Sequence, residues 1–123
     1  MEEIVRKAML YDFYGELLTP HQRKAYEAVV MDDLSCAELA RNENISRQGA
    51  HDMIHRCDRQ LEEYEEKLHL VERFLNMKRN LQKIRENAAE LKDRLEASGD
   101  KDTAGMTLLD DVLGRTDDLL SGL

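Results

Sequence analysis

The side chains best suited to chemistry fall in one short stretch: Arg47, Gln48, His51, Asp52, His55, Arg56 and Arg59. Arg can bridge guanine and Gln can pair with adenine in a groove, while Arg and Lys neutralise phosphate. Arg47 and Gln48 are therefore candidate base contacts, with His51 and His55 beside them. Arg56, Arg59, Arg23 and Lys24 are candidate phosphate contacts. His51 and His55 stand four residues apart, so on a helix both imidazoles share one face and could share a metal, with Asp58 one turn further. No Glu follows His51 as in a zinc-protease helix, and no fourth ligand is spaced to close such a site. The pair reads as exposed histidines of a recognition helix, and no metal is expected. Cys36 and Cys57 read as small core residues, and Asp32-Asp33 and Asp117-Asp118 as helix-end and surface acids. No Gly-rich phosphate loop, nucleophile elbow or pair of catalytic carboxylates is recognisable. Neither an enzyme nor a cofactor is expected.

These side chains need a frame, and the helix-start signals supply it. Thr19, Pro20 and Gln22 form a capping box with Pro at the first helical position. A preceding helix runs from about Glu2 to Leu18, with Ile4, Val5, Ala8, Met9, Tyr11, Phe13, Leu17 and Leu18 making an apolar face too wide to leave in water. Ser35 with Glu38 is a second capping box, flanked by Leu34 and Leu39 as a staple. The helix it opens spans about Cys36 to Asn42. Asn42-Glu43-Asn44 can turn, because Asn tolerates left-handed backbone angles. Ser46 then caps another helix, with Ile45 and Ala50 as its staple. Two capped helices across a short turn make a helix-turn-helix at about 35–60. Ala50, Met53, Ile54 and Cys57 turn inward, which leaves Arg47, Gln48, His51, Asp52 and His55 on the free face. The bland alternative is a three-helix packing unit whose polar face meets only water.

Beyond that unit the apolar residues continue at helical spacing. Ala50, Met53 or Ile54, Cys57, Leu61, Tyr64, Leu68, Val71 and Leu75 form one seam. Leu70, Phe74, Met77, Leu81, Ile84, Ala88, Leu91 and Leu95 form a second, offset one. Both alternate steps of three and four, as coiled-coil stripes do. The change of phase between Leu68 and Phe74 implies a kink or two helices. The first seam is expected to be internal, and part of the second to serve dimerisation or partner binding. The domain reading is an N-terminal helical domain over 1–68, a helical arm over 69–98 that ends at Ser98-Gly99-Asp100, and an acidic tail over 99–123 with one short amphipathic helix.

Composition agrees with an all-α chain. Of 123 residues 36% are charged, only one is Pro, and aromatic residues are 5%, which disfavours a sheet. A net charge of −8 argues against a dedicated nucleic-acid coat and suits a basic protein partner. Around the helix-turn-helix, the bases Arg23, Lys24, Arg41, Arg47, Arg56 and Arg59 nearly balance Glu27, Asp32, Asp33, Glu38, Glu43, Asp52 and Asp58. No apolar run approaches the roughly 20 residues that cross a bilayer. The start, Met1-Glu2-Glu3-Ile4-Val5-Arg6, has no signal-peptide pattern. A cytoplasmic chain without a membrane role is expected, and two isolated cysteines fit a reducing compartment.

Particular residues carry a resemblance. Asp12-Phe13-Tyr14, Leu17-Leu18-Thr19, Gln22-Arg23, Asp33-Leu34-Ser35, Glu38-Leu39-Ala40, Ile45-Ser46-Arg47-Gln48, Asp52, Arg56, Tyr64-Glu65 and Lys67-Leu68 stand in the order seen in the YlxM-like family. The chain resembles that family from about Leu10 to Phe74. The resemblance implies a fold similar to region 4 of sigma factors, and the apolar seams beyond it read as long coiled-coil-like helices. It also implies a bacterial accessory protein of the signal-recognition-particle pathway, acting on the particle's GTPase, its RNA, or both, with no catalytic residues. Two other expectations stand beside it. One is a dimeric transcriptional regulator that binds duplex DNA, and the other is a protein–protein adaptor built on a helix-turn-helix.

Overall fold

Four helices start where a side chain, Thr19, Ser35, Ser46 or Asp102, satisfies a backbone N–H that has no partner in the first turn. The computed structural model describes residues 2–99 and 102–123; Met1, Asp100 and Lys101 lie outside it, so the end of the helical stretch is followed only to Gly99. The described elements are α1 (Glu3–Tyr14), α2 (Pro20–Tyr26), α3 (Cys36–Glu43), α4 (Arg47–Leu68), α5 (Leu70–Ala97) and α6 (Thr103–Ser121). A 3-10 turn, Gly15–Leu17, follows α1, and a π-helical turn, Glu27–Met31, follows α2. The described residues are all-α and contain no strand.

The caps follow from the sequence with one difference. The Thr19 hydroxyl accepts the Gln22 N–H at 3.2 Å, and the Gln22 side-chain oxygen accepts the Thr19 N–H at 3.1 Å. Ser35 accepts the Glu38 N–H at 3.1 Å, yet Glu38 does not reach back to the Ser35 amide. Its carboxylate instead accepts the Ser35 hydroxyl proton at 3.0 Å. Ser46 accepts the Gly49 N–H at 2.9 Å. The turn between α3 and α4 closes on Asn44, at φ 55°, and the Ile45 N–H reaches Ala40 O at 3.0 Å. That is a Schellman-type closure.

The first helix departs from expectation. Leu18 must be extended to bury its side chain and to precede the Thr19 cap, so the last turn tightens before it. The face expected to be buried is narrower: Leu10, Tyr14 and Leu18 are buried, whereas Ile4, Val5, Phe13 and Leu17 remain exposed.

The chain divides into two compact units, Met1–Val71 and Glu72–Leu123. The core of the first is Leu10, Tyr14, Leu18, Tyr26, Leu39, Ala50, Ile54, Cys57, Leu61 and Val71. Burying a side chain such as Leu61 stabilises by about 2 kcal/mol. Beyond Leu61 the expected seam holds at Val71, which is buried, but fails at Leu68. Leu68 is 46% exposed, and the buried position belongs to Glu65. The reason lies at the phase break, where α4 ends on His69 at φ 57° and α5 restarts at once. The new helix needs acceptors. Val71 N–H donates to Glu65 Oε1 at 3.0 Å, Leu70 N–H donates to the Tyr14 hydroxyl at 3.1 Å, and that hydroxyl donates to Glu65 Oε1 at 2.5 Å.

In the second unit, Arg85 meets Asp117 at 2.5 Å and Lys92 meets Asp110 at 2.8 Å. Seven residues up α5 correspond to seven down α6, so the two helices are antiparallel. The segment read as a tail with a short helix is a 19-residue helix. No described helix is long and apolar enough to cross a membrane.

Candidate nucleic-acid interface

The inner face of α4 is fastened to the helices before it, and this fixes which way its outer face points. Tyr26, wholly buried, donates to Asp58 at 2.6 Å, and Lys7 approaches the other Asp58 oxygen at 3.5 Å. Gln22 Nε2 donates to Gln60 at 3.1 Å, and Arg6 grips Glu62 through two bonds at 2.9 and 2.7 Å. Burial pushes the Tyr26 hydroxyl well above the ordinary tyrosine range, and the Asp58 carboxylate adds to this. Burial likewise raises the Cys57 thiol, with Asp58 beside it contributing. Cys57 is thus a packing residue without nucleophilic character, while Cys36 is only half-buried.

Gly49 follows the Ser46 cap, where a helix-interior Gly is otherwise unfavourable. A Cβ there would lie 3.0 Å from the Ser46 hydroxyl. The close approach is therefore to the cap itself, while Ala50 on the next position is wholly buried.

The outer face presents Arg47, Gln48, His51, Asp52, His55, Arg56 and Arg59, all exposed. Six of them, Gln48 to Arg59, line one shallow open concavity. The His51 and His55 Nε2 atoms lie 3.0 Å apart, with ring centroids 4.2 Å apart. Asp58, the third ligand weighed for a metal, is held by Tyr26 and Lys7. Among the described residues no group of three metal-ligating side chains converges. Gln48 Nε2 donates to Asp52 Oδ1 at 2.9 Å, which engages one of the two N–H donors of the amide that would pair with adenine and draws it toward Asp52.

The structure separates the two candidates on α2. Lys24 is exposed, but Arg23 is half-buried and its Nε is enclosed without a hydrogen-bond partner. Arg41 joins the site although sequence patterning does not single it out. It is exposed at the end of α3 and shares a second shallow concavity with Asn44, Ile45 and Arg47. Its position in the last turn before the Asn44 turn is the signal that could have found it. A further bond ties the start of α2 to the end of α3, His21 Nε2 to Glu43 at 3.0 Å.

Comparison with known proteins agrees with this architecture. Residues 1–100 match a family described as "helix-turn-helix protein, YlxM / p13 like". The UPF0122 protein of Clostridium botulinum is 42% identical over 102 residues, which is 83% of this chain and 90% of that protein. The corresponding protein of Caldanaerobacter subterraneus is 41% identical over 85 residues, 69% of this chain and 73% of its own length. One from Bacillus cereus is 40% identical over 90 residues, 73% of this chain and 82% of its own length. No solved structure matches the chain.

Proposed function

The chain belongs to the YlxM/p13-like helix-turn-helix family, and from that premise we propose that it is a cytoplasmic, non-catalytic regulatory protein of the signal-recognition-particle pathway whose helix-turn-helix contacts the particle's RNA. The carrying observation is the outer face of α4, where Arg47, His51, His55, Arg56 and Arg59 are exposed on a helix fastened from behind. Arg41 extends that basic line onto α3. With the Gln48 amide engaged by Asp52, the face is better equipped to meet phosphate than to read a base. That favours RNA backbone over a sequence-specific duplex site. The net charge of −8 gives the rest of the surface an affinity for a basic protein partner such as the particle's GTPase.

Fluorescence-anisotropy titrations against signal-recognition-particle RNA and random duplex DNA, each at two salt concentrations, test the proposal. RNA should bind more tightly and with a steeper salt dependence. Arg47→Ala combined with Arg56→Ala should weaken binding and lower the salt slope by about 2, one for each phosphate contact. An unchanged slope removes this face from the mechanism. A protein–protein adaptor is the second reading, favoured by the Asp52 carboxylate in the middle of the face, which opposes phosphate. Silence with both nucleic acids would select it. A DNA-binding dimer would instead prefer duplex with half-sites about 34–36 Å apart.

A further inference from the structure

The nucleic-acid reading leaves the second unit without a role, and that unit is unfinished as a folded object. Fully buried side chains on its described residues are limited to Ala88 and Thr116. On α5, Met77, Ile84 and Leu91 recur every seven residues and are 53%, 47% and 49% exposed. On α6, Leu108, Val112 and Leu119 are 69%, 37% and 55% exposed. The sides that turn inward are different ones: Leu81, Ala88 and Leu95 on α5, and Leu109, Leu113, Thr116 and Leu120 on α6.

Helical geometry places the two exposed stripes on one side. At about 100° per residue, the stripe lies roughly 50° from the inward line on α5 and roughly 90° from it on α6, in the same rotational sense on both helices. Because α5 and α6 are antiparallel, rotations of the same sense bring both stripes to the same face of the pair. The register set by Arg85–Asp117 and Lys92–Asp110 brings Ile84 level with Leu119 and Leu91 level with Val112. The result is one continuous apolar strip two helices wide.

We propose that this strip is covered by the same strip of a second copy of the chain, closing two α5–α6 hairpins into an antiparallel four-helix bundle. Three observations favour a second copy over a foreign helix. The seven-residue spacing of Met77, Ile84 and Leu91 needs a partner with matching stripes, and the chain itself supplies one. The rim is close to neutral. Asn80 and Asn87 flank the α5 stripe, and the nearby Arg94 and Arg115 are already paired with Glu90 and Asp111 on their own helices, each at 2.8 Å. A strongly charged peptide would find little to pair with, whereas two copies meet without like-charge repulsion. The area also suffices. Six side chains at these exposures offer about 550 Å² per copy, or about 1,100 Å² in total, just above the roughly 1,000 Å² a specific interface needs.

Sedimentation velocity of the full chain, from about 1 to 100 µM, reads the association directly. The wild-type chain should pass to dimer within that range. Ile84→Glu combined with Leu119→Glu should stay monomeric throughout. If the charged pair lowers helicity, Ile84→Ala with Leu119→Ala should still raise the dimer dissociation constant at least about tenfold. Leu17→Glu, on an exposed residue of the first unit, should leave the dimer intact. A wild-type chain monomeric at the top concentration overturns the proposal, as does a dimer that survives both double variants or is abolished by Leu17→Glu.

Discussion

Glu65 illustrates how a single carboxylate can decide a junction. Its Oε1 accepts from both Tyr14 and Val71 inside a buried site, so it serves the first turn of α5 as an acceptor. Removing it in Glu65→Ala leaves buried donors unsatisfied and should destabilise by about 3 kcal/mol in urea titrations. Glu65→Gln keeps an acceptor oxygen and should lose about 1 kcal/mol. Equal losses for the two would show that charge rather than acceptance matters there. Apolar spacing places Leu68 rather than Glu65 inward, because periodicity is blind to an acid that is buried for its hydrogen bonds. Arg6 and Glu62 respond to pH in a defined direction. The Arg6 guanidinium, by its hydrogen bonds and then its charge, holds the Glu62 carboxyl below the usual carboxylate range, against a smaller opposing effect of burial. The stabilisation is therefore complete above the unfolded value near 4.3 and is lost as pH falls through the lower folded value. Both side chains are nearly half exposed, so the effect stays under about 1 kcal/mol. The difference in melting temperature between wild type and Glu62→Gln should begin to shrink as pH falls below about 4.3 and vanish once it is below the depressed folded value. Three tyrosines give the alkaline counterpart. Burial, then a carboxylate partner, raises Tyr11 to about 12 and moves Tyr14 and Tyr26 upward too. That stability is complete below about pH 10 and fades as pH rises through the folded values. Most of the tyrosinate absorbance, that of these three, should accordingly rise together with loss of helicity rather than before it.

At the scale of the element, what was legible was local. Thr19, Ser35 and Ser46 cap helices because a hydroxyl three residues before a free N–H needs no tertiary structure to act. Asn44 turns the chain for the same kind of reason, a side chain that tolerates a left-handed backbone. Replacing it with a β-branched residue keeps the chain length but forbids that backbone, so Asn44→Val should lose about 1–2 kcal/mol and loosen the angle between α3 and α4. Asn44→Gly should be neutral or mildly stabilising. Denaturant melts of both variants decide the point, since equal losses would mean the Asn side chain, not its backbone, holds the turn. The outer face of α4 was readable because its inner apolar spacing fixes the opposite side. The half-burial of Arg23 was not readable, because it depends on how α2 lies against its neighbours. The width of the buried α1 face was overestimated for a related reason. Hydrophobicity shows that Ile4, Val5, Phe13 and Leu17 could be covered, while only packing decides whether anything covers them.

In chain order a unit with a buried core is followed by one almost without, and α5 begins in the first and runs into the second. Apart from Ala88, every fully buried apolar side chain of the described residues belongs to the first unit. The helix-turn-helix should therefore fold without the hairpin. A fragment ending at Val71 keeps Tyr14, Glu65 and the Leu70 and Val71 amides together, and should melt cooperatively with the tyrosine titration of the full chain. The fragment from Glu72 to Leu123 lacks a core, and helices joined only by a thin inward seam are marginal in water. Its helicity should rise with concentration, over the same range in which the full chain associates, and should fall when Ile84 and Leu119 are made acidic. Full helicity in a dilute monomer would show that the α5–α6 pair is self-sufficient. The open apolar strip would then be a surface property rather than the missing half of a core. A first fragment that fails to fold would tie the nucleic-acid face to the hairpin, and the two faces would have to be understood as one device rather than two.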